Sequence, residues 1–417
     1  MSFPFRWLAE RRADSHDEAP AKQPPPPQRA PPPGCCQTLV CYQERLLVLF
    51  GGGSLFRFSN EVYVYDLNCR RWSYRHPENS DIVAPRLGHS AVIYHDTMIV
   101  YGGQDLHSPV VYDEVLQLDL ATWRWSLLHR APPFPDGPGT RRLHSAHVIA
   151  DCMYVLLGTP FETGESPVWS LDLRTGVWRD VRPTVVSSFP AAREHVLDSH
   201  DSKRRLCGCC TAVSGNSIYA FGGYLVSEGD GDYSSGTLAY AQTLSEFNAT
   251  SNTWRYVRPA RPFPLPPRRY ASAMAVHDGY VYIFGGDANQ EDIAWYFADV
   301  WRIRVAGDAD GSWEHVSVAG TGPSPRSGCA YAFARSSLYL VGGEVGPMEV
   351  LHDASYSNET FALPLGYSCA LSLRDNVARW IGLPSPQQTP PPPFPSAWPS
   401  VHLSLGARRA LESYMHC

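Results

Sequence analysis

The chain has 417 residues, more than one hydrophobic core of ordinary size organises, so it forms either several domains or one large closed fold. Charged residues are only 18% of the total, whereas Gly (33), Pro (37), Trp (12) and Tyr (22) are abundant; this suits many short strands joined by turns and disfavours a mostly helical protein. With 35 basic against 41 acidic residues the formal charge is −6, which gives the whole chain no electrostatic reason to bind nucleic acid or an anionic membrane.

From the N-terminus, residues Met1 to Arg12 contain no apolar stretch of signal-peptide length, and the longest strongly apolar run, Leu46 to Phe50, is far too short to span a bilayer. Eleven cysteines, an odd number, lie partly in clumps such as Cys35-Cys36 and Cys209-Cys210. Without an export signal they read as reduced thiols in the cytoplasm or nucleus. Pro24 to Pro27 sit in a proline-rich stretch, and residues 1–33 are expected to be disordered.

A repeat follows. Its clearest copy starts at Pro85-Arg86-Leu87-Gly88-His89-Ser90 and continues through an apolar segment, a turn at His95-Asp96, and Met98 to Tyr101 ending in Gly102-Gly103. After a loop come Asp113 to Leu120, a turn at Ala121-Thr122, and Trp123-Arg124-Trp125. Four short apolar or alternating segments with polar turns predict a four-stranded antiparallel meander, strands A to D. Strand B ends again in Gly51-Gly52, a degenerate Gly158-Thr159, Gly222-Gly223, Gly285-Gly286 and Gly342-Gly343. Strands C and D recur before Trp72, Trp178, Trp254 and Trp313, and most weakly as Ser368 to Leu373 with Trp380.

These motifs resemble the kelch repeat, in the Pro-Arg-x-Gly-His-Ser form of fungal cell-polarity proteins and host cell factor. The resemblance implies an all-β fold, a six-bladed kelch β-propeller over residues 34–383, in which neighbouring sheets bury each other's faces. Residues 384–417, including Pro390 to Pro393, are expected to be a proline-rich linker and short tail. Both proline-rich ends are more commonly linkers than SH3 or WW ligands. Val401 to Leu405 as a ring-closing strand and a helix through Ala407 to Tyr414 remain open alternatives.

In a meander the A-B and C-D turns share one face, and here both sets are tight. The B-C loops Tyr224 to Thr243 and Glu344 to Tyr367, and the connections Arg179 to Lys203 and Arg255 to Pro267, share the other and are long. Recognition residues concentrate on such loops, so this face is expected to bind a protein or peptide; tolerated spacers are the competing reading. Arginines recurring before strand A (Arg86, Arg141, Arg204 or Arg205, Arg269, Arg326) face carboxylates at Glu61, Glu114 and Asp299, which favours structural pairing. Arg204, Arg205 and Arg268 exceed the pattern and, with Tyr224, Tyr233, Trp295 and Tyr296, are the candidate partner-binding residues.

The alternative is an oxidoreductase resembling galactose oxidase. That chemistry requires export, and the slot of His89 and His144 is filled by Cys209, Ser272 and Cys329 elsewhere, so copper is disfavoured. Cys207, Cys209, Cys210 and His200 lack paired zinc spacings, and alternation sends neighbours to opposite sides of a strand. The iron-associated Glu-x3-Asp-x3-His pattern of plant specifier proteins fails because Ser357 follows Glu349 and Asp353 where His belongs. Glu228, Asp230 and Asp232 lack an EF-hand frame, and no P-loop or nucleophile elbow is present. The expectation is no catalysis, no cofactor, no metal and no small-molecule substrate.

Overall fold

The structure, a computed structural model, describes residues 5–9, 29–54, 57–105, 110–162, 164–186, 204–227, 240–262, 264–290, 293–306, 311–320, 322–346 and 355–365. Among these the only helix is one 3-10 turn, Ser80–Ile82, and the fold is an all-β propeller. Five four-stranded sheets and one five-stranded sheet are found among the described residues, each a blade. Their innermost strands are Thr38–Tyr42, Ser90–Tyr94, Ser145–Ile149, Cys210–Ser214, Ala273–His277 and Ala330–Ala334, and each lies against the next, the last returning to the first.

Alternation along each strand sends apolar side chains to both faces, so every face meets a neighbouring blade. Val48, Phe50, Val62 and Val64 of the first blade pack on Met98, Val100, Leu116, Leu118 and Trp125 of the second. Trp125, Trp169 and Trp254 are among the largest fully buried side chains. Each contributes roughly 4–6 kcal/mol of gross apolar burial, against about 1 kcal/mol for a hydrogen bond, so packing supplies adhesion and hydrogen bonds set register.

A closed ring of hydrogen bonds and an arc of five more set that register. In the first, the second residue of each glycine pair donates its N–H to the next blade: Gly52 to Arg86 O (2.9 Å), Gly103 to Arg141 O (2.8 Å), Gly158 to Leu206 O (3.2 Å), Gly223 to Arg269 O (2.9 Å), Gly286 to Arg326 O (2.9 Å) and Gly343 to Gly34 O (2.9 Å). A Cβ at Gly223 would stand 2.7 Å from the Cys207 carbonyl oxygen, so no side chain fits there. In the second, the residue before strand A, held at positive φ, hands its N–H around the axis: Leu143 to Gly88 O, Gly208 to Leu143 O, Ala271 to Gly208 O, Gly328 to Ala271 O and Cys36 to Gly328 O, at 2.7 to 3.0 Å. Glycine is the least strained residue at that conformation, which accounts for Gly88, Gly208 and Gly328.

Three expectations need correction. The pair in the third blade is Leu157-Gly158, not Gly158-Thr159: Leu157 (φ 62°) and Gly158 (φ 84°) follow strand B as Gly102 and Gly103 do, and the leucine masks the motif. Strand C of the last blade is Thr360–Pro364, registered on Ser337–Val341, whereas Ser368 to Trp380 lie outside the described residues. The outer strand of that blade comes from the N-terminal stretch expected to be disordered, because Leu8–Ala9 pairs with Phe361 and Ala362. Phe5–Arg6 also runs parallel to Val318–Ala319. Two-residue strands carry no readable periodicity, and their anchor is a single side chain. Trp7, 5% exposed, packs edge-on against Phe284 of the fifth blade (4.9 Å) and Phe361 of the sixth (6.3 Å). The proline-rich tail and Val401 to Leu405 lie outside the described residues.

Trp7→Ala is expected to cost about 3–5 kcal/mol in urea unfolding, the range for a buried Trp emptied to Ala, and to speed amide exchange in Thr360–Pro364 before other blades. Exchange that rises equally in all blades would count against this anchoring role.

Candidate functional site

The long loops fold back as short strands at the face opposite the tight turns. Arg204–Cys207 pairs with Tyr224–Ser227, Asp287–Gln290 with Ile293–Tyr296, and Glu344–Val345 lies between Arg326–Ser327 and Ser355–Tyr356. The inner strands surround an axial cavity of ≈ 520 Å³ lined by His89, His144, His147, Cys209, Ser272 and Cys329, among others. The histidines are hydrogen-bonding residues there. Thr38 Oγ1 lies 2.9 Å from His89 Nε2, and His144 Nε2 lies 2.8 Å from Ser90 Oγ. Burial, and then the Arg86 guanidinium, hold His89 down to about 3, and burial holds His147 to about 4, so both are neutral at physiological pH.

The repeated arginines are 0 to 1% exposed and fully engaged in the blades. Arg86 Nη1 donates to Gly102 O (3.0 Å) of its own blade, Nη2 to Glu114 (2.8 Å), and its guanidinium lies over the Tyr112 ring. Arg269 repeats this with Gly285 O (3.0 Å) and both oxygens of Asp299 (2.6 and 2.8 Å), Arg326 with Gly342 O (3.0 Å) and Glu359 (3.1 Å), and Arg141 with Leu157 O (3.1 Å) and Glu165. The corresponding position in the fourth blade is Leu206, not Arg204 or Arg205.

Arg205, expected to face a partner, is instead 5% exposed. Its Nη2 donates to Glu165 O (2.9 Å), Nη1 stands 3.4 Å from Glu165 Oε1, and it lies over the Phe161 ring. One carboxylate therefore serves two buried arginines, and Trp169 Nε1 also donates to it (2.7 Å). Tyr224, likewise expected at the surface, is 3% exposed and packs edge-on against Tyr270 (5.4 Å). The backbone of Arg204 pairs with Ser227. Arg268 is exposed and donates to Tyr240 O (2.7 Å). Trp295 is 46% exposed on the Ile293–Tyr296 strand, while Tyr296 donates its hydroxyl to Glu344 Oε1 (2.5 Å). Tyr233, Glu228 to Asp232, Glu349 and Asp353 lie outside the described residues.

Sequence reasoning missed Asp287 and Glu344. Each is the second residue beyond the first glycine of its pair, at equivalent positions of adjacent blades, and only knowledge of the ring geometry makes that spacing meaningful. Asp287 is 4% exposed; burial, and then the Glu344 carboxylate, push it up to about 7, against a lowering contribution from Ser327. Among the described residues no group of three or more His, Cys, Asp and Glu could hold a metal, and no helix is long and apolar enough to cross a membrane.

Two outcomes follow. Glu165→Gln leaves two buried guanidinia without their shared counter-charge and should cost about 3–5 kcal/mol in urea unfolding. Asp287 behaves oppositely. Its folded pKa lies above the unfolded value near 3.8, so the stability it contributes is full below that value and is lost as pH rises to about 7. Asp287→Asn should therefore exceed wild type in stability by roughly 2–4 kcal/mol at pH 8, with a smaller gap at pH 5. A gap that widens on acidification would contradict this assignment.

Residues 16–209 and 199–392 match the family model for the KLHDC2/KLHL20/DRC7 Kelch-repeats domain. The chain is 27% identical over 334 residues to the leucine-zipper-like transcriptional regulator 1 homolog of Drosophila melanogaster, covering 74% of this chain but only 29% of that protein. It is 26% identical over 305 residues to human Kelch domain-containing protein 3, covering 70% of this chain and 72% of the relative. A plant relative from Thlaspi arvense, N-(sulfonatooxy)prop-2-enimidothioate sulfolyase, is 24% identical over 304 residues, 70% of this chain and 80% of that protein. The two matches together take in the blades from the first inner strand to the last, and the chain belongs to the kelch-repeat family.

Proposed function

We propose that this kelch propeller is a non-enzymatic module of the cytoplasm or nucleus that binds a protein or peptide on the face carrying its long loops. The observation that carries this reading is the hairpin with Trp295, 46% exposed, on a face where Arg268 is exposed as well. An exposed aromatic and a basic side chain on a rigid frame are the residue types that dominate protein interfaces. The kelch relatives support an interaction role over catalysis, and the Pro-Arg-x-Gly-His-Ser form aligns the chain, in this reading, with fungal cell-polarity kelch proteins and host cell factor. An intracellular location agrees with the nine unpaired described cysteines. The oxidoreductase alternative gains no support from the relatives.

The test is proximity labelling in cells with the intact chain, the Arg268→Glu/Trp295→Ala variant, and Val177→Lys on the opposite face. Loss of the main labelled proteins by about tenfold in the double variant, with none in Val177→Lys, is expected. Equal labelling by all three would remove the loop face from consideration.

A further inference from the structure

Asp287 and Glu344 occupy one seam between the fifth and sixth blades. The backbone of Asp287 exchanges hydrogen bonds with Tyr270 (3.0 and 3.1 Å), and its cross-strand partner in the hairpin is Tyr296, whose hydroxyl reaches Glu344. Glu344 in turn pairs with Ser327 and Tyr356. The Asp287 side chain is buried, and its Oδ1 accepts no hydrogen bond among the described residues. Neither carboxylate has an arginine or lysine partner among the described residues, whereas Glu114, Glu165, Asp299 and Glu359 each hold one.

A buried carboxylate with a free oxygen beside a second carboxylate is an incomplete electrostatic arrangement. Resting on the reading of this face as a peptide-binding surface, we propose that the Asp287–Glu344 pair receives a cationic side chain, lysine or arginine, of the bound peptide. The cation approaches the half-buried Glu344 and supplies the missing counter-charge to both groups. Two carboxylates without a third ligand suit an ammonium or guanidinium better than a metal ion. The groups facing the pair are Ser327, Tyr296 and Tyr356, with the Cys35 thiol near Glu344; none is positively charged. Because Asp287 titrates near neutrality, a cation captures its ionised form, and affinity strengthens from pH 6 to pH 8.

The experiment is selection of random heptapeptides displayed on phage against the full chain, followed by titration of synthetic peptides. The expected result is a consensus with Lys or Arg at one position, whose change to Gln weakens wild-type binding about tenfold but leaves binding to Glu344→Gln and to Asp287→Asn/Glu344→Gln nearly unchanged. Glu344→Gln alone touches a half-buried side chain and keeps the test independent of folding at Asp287. Peptides that bind without a basic position, or lose affinity equally in wild type and variants, overturn the cation assignment while leaving the peptide-binding face in place. Failure to select any peptide overturns the cation assignment, while the proximity labelling above decides separately whether the face binds a protein.

Discussion

The N–H of the second residue in each glycine pair, donated to the carbonyl of the residue that opens the following blade, is the bond on which the architecture depends. It is a backbone bond, so it fixes where each sheet meets the next whatever side chains fill the gap. It also explains why arginine recurs at the acceptor position in four blades. The same residue takes that N–H on its carbonyl and sends its guanidinium sixteen residues ahead to the first carbonyl of its own pair, as in Arg86 to Gly102. One residue thereby ties a strand end to the blade before it and to the blade it begins. In the first and fourth blades Gly34 and Leu206 accept the backbone bond without any guanidinium, so the backbone link is the invariant part.

This division separates two kinds of charge at one face. The buried arginines are consumed by carbonyls and carboxylates of the frame, and their desolvation is tolerable because those partners are fixed in place. Arg205 joins them by sharing Glu165 with Arg141, which turns the seam between the third and fourth blades into a locked element. The hairpin with Trp295 and the acidic seam of Asp287 and Glu344 belong to the fifth and sixth blades, and the exposed Arg268, which donates to Tyr240 O, stands where the fourth blade meets the fifth.

The repeat itself was plain in the sequence because Gly-Gly, Pro-Arg-x-Gly and Trp recur in fixed order, and each reflects a backbone or packing demand common to all blades. Legibility failed where a blade meets the demand with an unusual residue. Leu157 accepts the left-handed backbone that glycine supplies elsewhere, so the pair in the third blade was placed one residue late. Thr360–Pro364 ends on a proline, a residue that argues against a strand inside a sheet, and Leu8–Ala9 is too short for alternation to show. Arg205 and Tyr224 misled for a different reason. Composition marks Arg and Tyr as interface residues, but burial depends on the small sheet that Arg204–Cys207 makes with Tyr224–Ser227, which sequence spacing does not reveal. Asp287 was invisible because an acidic residue just past a glycine pair reads as an ordinary loop residue.

The position two residues beyond the first glycine shows how a uniform frame yields a distinctive surface. It is held by backbone pairing in every blade, to Cys35, Leu87, Arg142, Cys207, Tyr270 and Ser327 in turn, yet it is occupied by Gly53, Gln104, Thr159, Tyr224, Asp287 and Glu344. Fixed backbone with a different side chain at each station around one axis is the arrangement that lets a propeller change what it recognises without changing how it folds. Two of those six stations are acidic and adjacent, and one carboxyl is buried with an oxygen left over. Folding alone favours a neutral side chain there, since ionised Asp287 weakens the native state near and above neutral pH. A residue that opposes stability at a variable station, beside a display hairpin, is better accounted for by what it meets from outside than by anything the blades require of it.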